Sequence, residues 1–345
     1  MTRRTNEPIH NFEDGDSVSG FAYLAKMERR QDKNGRDFLD LVLKDASGSI
    51  SGKVWSDSPA LNGNYELHDF VAFRGTLQSY RDQLQMNVRE CRRAIEDDRQ
   101  HGFDEALLIP STRQSIDELE QRLTEILSQE IEHPILHRLA QETLASHGQQ
   151  LREHPAAKMI HHAFRGGLLE HVVSMAELAL GVCRHYPELD SDLLLLGVLF
   201  HDLGKTQELG AMPNNDYTLE GRLVGHVVMG RDLLRERCRA IPDFPADLQL
   251  HLEHLILSHQ GRLEFGSPVQ PMTPEALALH FIDDLDSKLA QLREANEKEP
   301  ALQYLTGFSR FLYTGFTPRQ EEVPGEGSEE PEPSSTPAQP TLDLD

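Results

Sequence analysis

Between residues 12 and 95 apolar and polar side chains alternate in short runs. The clearest are Val18-Ser19-Gly20-Phe21-Ala22-Tyr23-Leu24, Phe38-Leu39-Asp40-Leu41-Val42-Leu43 and Ile50-Ser51-Gly52-Lys53-Val54-Trp55. They are followed by Phe70-Val71-Ala72-Phe73-Arg74-Gly75 and Gln83-Leu84-Gln85-Met86-Asn87-Val88. A period of two sends successive side chains to opposite faces, so these runs predict five strands. Asp32-Lys33-Asn34-Gly35 and Asp45-Ala46-Ser47-Gly48 supply the turn chemistry between them. Gly20, Gly52 and Gly75 fall inside strand patterns, where barrels place bulges and tight bends. A small closed or sandwich-like sheet is expected.

From residue 111 the period becomes helical. Ser115-Ile116-Asp117-Glu118 is a capping-box pattern ahead of Leu119, Leu123, Ile126 and Leu127, which share one helical face. Further helices are predicted over 135–147, 167–186, 191–203, 220–239, 246–259 and 274–297. Gly148, Pro187, Gly204, Pro242, Pro245 and Pro274 punctuate them. The apolar run Leu193–Phe200 marks the most buried helix and falls far short of the ~20 residues that span a bilayer, so no membrane partner is expected.

Charge narrows the picture. The 345 residues carry 57 acidic and 34 basic side chains, a net −23, which argues against a protein that coats duplex DNA by bulk electrostatics. Residues 12–95 hold 12 basic and 13 acidic residues, so the acid excess lies elsewhere. Residues 320–345 hold 8 acidic residues, 5 prolines and no Lys or Arg, a composition expected to stay disordered. Three widely spaced cysteines, and no apolar stretch behind the arginines at the start of the chain, predict a reducing, cytoplasmic setting.

Seventeen histidines make a search for metal ligands worthwhile. His171, the pair His201-Asp202, His226, His259 and Asp283 each sit within or at the end of an otherwise apolar helix. A buried polar group without a partner costs on the order of a few kcal/mol, so each needs compensation. A single such histidine is satisfied by a backbone carbonyl, and Lys205 by itself would neutralise Asp202. The adjacent pair His201-Asp202, closing the most apolar helix, favours a divalent cation. Mixed His and Asp ligation suits manganese, iron, cobalt, magnesium or zinc, and the lack of paired cysteines argues against a structural zinc site. Asp202 can bridge two ions, with His171, His201 and Asp283 on one and His226 and His259 on the other. Such a pair of ions activates water and clamps a phosphate oxygen, which suits in-line displacement at phosphorus. His161, His162 and Arg165 could reach a substrate phosphate, a solvated helix start being the equal alternative. His280, one turn before Asp283, is a candidate for the shell behind the ligands, and His251 for the surface.

The order His…His-Asp…His…His…Asp, with Leu-Phe-His-Asp-Leu-Gly-Lys, resembles the HD superfamily of metal-dependent phosphohydrolases. The wider layout is similar to the YhaM family of bacterial 3′→5′ exoribonucleases over residues 12–316. It rests on His161-His162-Ala163-Phe164, Gly166-Gly167-Leu168-Leu169-Glu170-His171, Leu257-Ser258-His259-Gln260-Gly261 and His280-Phe281-Ile282-Asp283-Asp284-Leu285-Asp286-Ser287-Lys288. The resemblance implies an all-β OB-fold barrel over 12–95, a helical linker region over 96–150, an all-α HD domain over 151–316 and a disordered acidic tail over 317–345. It implies a 3′→5′ exonuclease on single-stranded RNA, and on DNA in many members, with manganese as the favoured ion. His171, His201, Asp202, His226, His259 and Asp283 would be the metal residues, and Asp202 and Lys205 the catalytic pair, Lys205 holding the scissile phosphate. This chain departs from the family pattern at Gln260, which removes a substrate or supporting contact, and at Asp284, which adds negative charge near the cluster.

An OB-fold binds single strands by stacking bases on aromatic side chains and tracking the backbone with basic ones. Trp55 and Tyr80 border turns and are the candidate stacking residues, a core position being the equal alternative, whereas Phe38 and Phe73 are expected in the core. The rival readings are an HD phosphohydrolase of free or cyclic nucleotides and a non-catalytic nucleic-acid-binding scaffold. Homo-oligomer formation stays open.

Overall fold

The computed structural model describes residues 3–81, 83–158, 163–298 and 302–314. The alternating runs form β2 (Ser17–Gln31), β3 (Asp37–Asp45), β4 (Gly48–Val54), β5 (Phe70–Tyr80) and β6 (Gln83–Arg93), preceded by a short β1 (Arg3–Thr5). β2 pairs antiparallel with β5 through residues 17–23 and with β3 through residues 23–31, with a register shift between Leu24 and Lys26. That shift lets one long strand pass from one neighbour to the other. β4 pairs with β6 in parallel, and the order β2-β3-β4-β6-β5 closes back on β2. The result is a five-stranded barrel, an OB-fold. Leu24, Leu41, Leu43, Val54, Val71, Met86 and Val88 fill it from alternate positions.

The strand glycines divide. Gly75 lies at a register shift on β5, where a Cβ would stand 2.6 Å from the Asn87 carbonyl oxygen. Gly20 and Gly52 sit in unbroken register, correcting the expectation of bulges there. Gly52 instead admits the Val88 side chain, 3.0 Å from where its Cβ would be.

The helical part comprises α1 (Glu105–Leu108), α2 (Ile116–Glu130), α3 (Pro134–Glu153), α4 (Gly167–His185) and α5 (Ser191–Phe200). It continues through α6 (Lys205–Glu208), α7 (Leu219–Val224), α8 (His226–Ala240), α9 (Ala246–Ser258) and α10 (Pro274–Lys298). Every residue from Leu193 to Phe200 is buried, so α5 is the central post around which the others pack. The stretch expected as a linker divides. α1 lies against β2 and β3, while α2 and α3 bury Leu119, Leu123, Leu136 and Leu139 in the same core as α4 and α5.

Three helix boundaries differ from the sequence pattern. α3 runs through Gly148 to Glu153 and ends at His154. The span 220–239 breaks at Gly225, whose φ of +82° only glycine adopts easily, into α7 and α8. α5 stops at Phe200, and His201–Gly204 form a turn leading into α6. Residues 302–314 contain a separate antiparallel hairpin, β7 (Leu302–Leu305) and β8 (Arg310–Tyr313). The segment expected as a disordered tail lies outside the described residues. No helix among the described residues is long and apolar enough to cross a membrane.

Candidate metal centre

Five elements deliver the six candidate ligands. α4 carries His171 on its buried face, the turn after α5 carries His201 and Asp202, and α8 begins with His226. His259 caps the end of α9, and Asp283 projects from α10. Their donor atoms gather into two groups, His171 with His201 and Asp283, and Asp202 with His226 and His259. Within each group the atoms lie within 4.8 Å of one another. The structure thus brings all six residues together, with Asp202, expected to bridge the two groups, in the second of them.

Asp202 lies between the groups. Its Oδ2 is 3.4 Å from His201 Nε2 and 3.9 Å from His171 Nε2, and it also accepts from Lys205 Nζ at 2.5 Å. Its Oδ1 is 3.5 Å from His226 Nε2 and 3.8 Å from His259 Nε2. Neither Asp202 Oδ1 nor His226 Nε2 has a hydrogen-bond partner, and both are buried. Leaving a buried charged oxygen unpaired costs at least ~1–3 kcal/mol. A cation between those atoms removes the cost, so the donor set fits a divalent metal. Lys205 and a metal are therefore not exclusive explanations of Asp202, because the lysine occupies one oxygen and leaves the other.

Each imidazole is held from behind so that its Nε2 turns inward. His201 Nδ1 donates to the Val198 carbonyl (2.8 Å) and His259 Nδ1 to the Ile256 carbonyl (2.7 Å). His171 Nδ1 donates to Asp286 Oδ2 (2.7 Å), a carboxylate that Ser174 Oγ also supports. His226 Nδ1 donates to Glu208 Oε1 (3.1 Å), which also accepts the His226 backbone N–H (3.0 Å). Fixing the tautomer through the far nitrogen is how protein metal sites orient their histidines. Asp286 and Glu208 were missed in the sequence. Asp286 lies three residues after Asp283 on the same face of α10, a spacing that could have found it. Glu208 gave no signal, because α6 is one short turn that only tertiary contacts reveal.

The electrostatics follow from this packing. Burial opposes a charge on His171, but the hydrogen bonds it donates to Asp283 and Asp286 outweigh it and hold its pKa up at about 9. Burial also opposes ionisation of Asp202, yet Lys205 and His201 beside it keep the carboxyl well below the usual range. Asp283 is lowered in the same way, chiefly by His171 against its own burial. His259, buried and facing His201, is pushed down to about 4 and stays neutral. Protons on His171 and Lys205 thus balance the acids that a metal would otherwise neutralise.

Other candidates are placed as follows. His161 and His162 lie outside the described residues. Arg165 is exposed and pairs through its backbone with Ser111 in an isolated bridge. Gln260 donates its amide to His259 Nε2 (2.9 Å). Asp284 ion-pairs with Lys288 (2.6 Å), which cancels the extra charge expected near the cluster. His280 Nδ1 donates to the His259 carbonyl (2.9 Å) and buttresses that turn. His251 is half-buried rather than on the surface and reaches Thr273 Oγ1 at 3.0 Å.

On the barrel, Trp55 packs against Phe38 with ring centroids 5.2 Å apart, and Lys53 Nζ stands 5.3 Å from the Phe38 ring centre. Phe38 is half-buried, which corrects its expected core position, while Phe73 is in the core. Trp55 borders a cleft of about 570 Å³ with Arg36, Asn87 and Arg89. Tyr80 is 57% exposed, with the Arg81 guanidinium 5.3 Å from its ring centre.

Residues 168–288 match the family described as HD domain, and residues 25–94 match the family described as OB-fold nucleic acid binding domain. The chain therefore carries an OB-fold nucleic-acid-binding domain followed by an HD domain, and all six clustered residues lie within the latter match. Among solved structures it is similar to the second OB-fold domain of replication protein A from Methanococcus maripaludis. The identity is 21%, the match covers 25% of this chain and 91% of that one, and the TM-score is 0.22. A replication protein A heterotrimer bound to single-stranded DNA matches at 18% identity, over 26% of this chain and 66% of that one (TM-score 0.21). Asparaginyl-tRNA synthetase from Entamoeba histolytica, in complex with asparaginyl-adenylate, matches at 13% identity over 41% of this chain and 35% of that one (TM-score 0.22).

Proposed function

We propose that this chain is a metal-dependent 3′→5′ exonuclease that shortens single-stranded RNA, with DNA as a second substrate, and releases 5′-mononucleotides. The observation that carries the reading is the unpartnered Asp202 Oδ1, buried between two groups of imidazoles on a chain that also holds an OB-fold. His171, His201 and Asp283 would hold one divalent ion, and Asp202, His226 and His259 the other, with manganese the first choice. When bound, such ions activate water and draw charge from the phosphate oxygens. Val198, Ile256, Asp286 and Glu208 keep each Nε2 lone pair aimed inward. Lys205 fixes Asp202 through Oδ2 and places a positive charge where the scissile phosphate gains negative charge. Trp55 and Tyr80 supply aromatic surface for bases of the incoming strand. Three free cysteines suit a reducing cytoplasm.

The test is digestion of a 5′-labelled single-stranded oligoribonucleotide with manganese, in parallel with nucleoside triphosphates and cyclic nucleotides. Stepwise shortening from the 3′ end is expected, and Asp202→Asn should lower it on the order of 10³-fold. Cleavage of the small nucleotides alone would replace this reading with a nucleotide phosphohydrolase. Full turnover by Asp202→Asn would remove the cluster from the chemistry.

A further inference from the structure

The segment joining Glu208 to His226 lies beside the centre and carries a group of side chains that the metal site does not use. Leu209 bridges to Tyr217, and the Thr218 backbone N–H donates to the Glu208 carbonyl (2.9 Å), so the backbone at Tyr217 is tied to that of Leu209 and Glu208, the residue whose carboxylate orients His226. Lys158 Nζ is 5.6 Å and the Arg222 guanidinium 5.3 Å from the Tyr217 ring centre. Asp216 Oδ1 ties both cations at 2.6 and 3.3 Å, and the Asn215 amide donates to the Lys158 carbonyl (2.7 Å). The aromatic ring and one carboxylate thus hold two cationic heads in place.

One carboxylate cannot satisfy two cations. Lysine has three donors and arginine five, more than Asp216 can accept, and with side chains 35% and 60% exposed Lys158 and Arg222 leave the cluster one net positive charge in a chain of net −23. Arg222 is 60% exposed, Tyr217 40% and the neighbouring Leu219 70%. A positive, partly aromatic surface next to a centre built for phosphate chemistry matches the way single strands are held, with cations on phosphates and bases on flat apolar groups.

We propose that Lys158, Tyr217 and Arg222 form a strand subsite beside the metal centre. The two cations hold a backbone phosphate of single-stranded nucleic acid upstream of the bond to be cut, and Tyr217 and Leu219 lie against the adjoining base. This inference rests on the nuclease reading and adds a binding site to it. The experiment uses the full chain and a 5′-fluorescein single-stranded oligoribonucleotide with chelator present, so that binding is read by anisotropy without turnover. Arg222→Gln should weaken binding several-fold and lower the salt slope by about 0.7, the value for one phosphate contact on a single strand. Tyr217→Ala should raise Kd by about tenfold, and Tyr217→Phe should restore it. With manganese, the ratio of oligomer to bis(4-nitrophenyl) phosphate turnover should fall at least about fivefold in Arg222→Gln and Tyr217→Ala, because the small diester has no upstream phosphate. Parental Kd and salt slope in both variants, with the parent binding RNA, would overturn the subsite alone. Equal losses on both substrates would also overturn it, showing a disturbed centre instead. A parent that hydrolyses the small diester but neither binds nor shortens RNA would overturn the nuclease reading and this subsite with it.

Discussion

Each imidazole of the centre has one nitrogen tied down, but not by the same kind of anchor. His201 and His259 lean on backbone carbonyls that their own helices fix, whereas His171 and His226 lean on Asp286 and Glu208, which can be changed singly. Each group of ligands contains one anchor of each kind. Asp286→Asn should therefore weaken the ion held by His171, His201 and Asp283, and Glu208→Gln the ion held with His226. Titration of the metal-free chain with manganese should show one class of site losing about 10–100-fold in affinity while the other stays nearer the parent. Loss of both sites together in both variants would show the two groups to be a single unit. The six clustered residues were legible in the sequence as candidates because an ionisable residue in an apolar helix stands out. Of the two carboxylate anchors, Asp286 had only its spacing from Asp283 to mark it, and Glu208 had nothing, because only its place against His226 gives it meaning.

Helix boundaries were legible where capping or proline dictated them, as at Ser115 and Pro274, and illegible where two backbones meet. Gly204 shows the difference. Its position after Leu203 reads as a helix stop, but its φ of −60° and ψ of −20° are open to any residue. The requirement is space, since a Cβ there would lie 2.1 Å from the His226 carbonyl oxygen and 2.6 Å from the Gly230 nitrogen. Both obstacles are backbone and cannot swing aside. Gly204→Ala should push α8 away and lower stability by about 1–3 kcal/mol or more, measured by urea unfolding. Because α8 begins with His226, it should also weaken metal binding. Unchanged stability would mean that α8 shifts freely. Gly148 is the counterexample, a glycine that reads as a break and lies inside α3, where packing of the helix face overrides the ~1 kcal/mol propensity cost.

Over the whole molecule, metal binding, protonation and stability are linked. In the metal-free chain His171, at about 9, holds a proton that Asp283 and Asp286 stabilise, so its contribution is full below pH 6.5 and fades as pH rises through 9. A metal needs that Nε2 free, so apparent affinity should climb with pH toward 9, by up to ~30-fold between pH 6.5 and 8 for one displaced proton. Thermal melts with and without manganese should accordingly show a larger stabilising shift at pH 8 than at pH 6.5, and an equal shift would remove His171 from the ligand set. The hydrophobic periods determined by themselves that a small β-sheet domain precedes a helical domain, since burial of an alternating or a 3.6-residue face admits few solutions. The spacing of His and Asp determined the ligand candidates, since charge in an apolar helix needs a partner. Only the tertiary structure decided that α2 and α3 join the helical core, that Phe38 leaves the barrel core for Trp55, and that one oxygen of Asp202 meets Lys205 while the other faces two imidazoles without a hydrogen bond. Those outcomes depend on which surfaces face one another after the chain has closed, a relation between distant residues that no local pattern encodes.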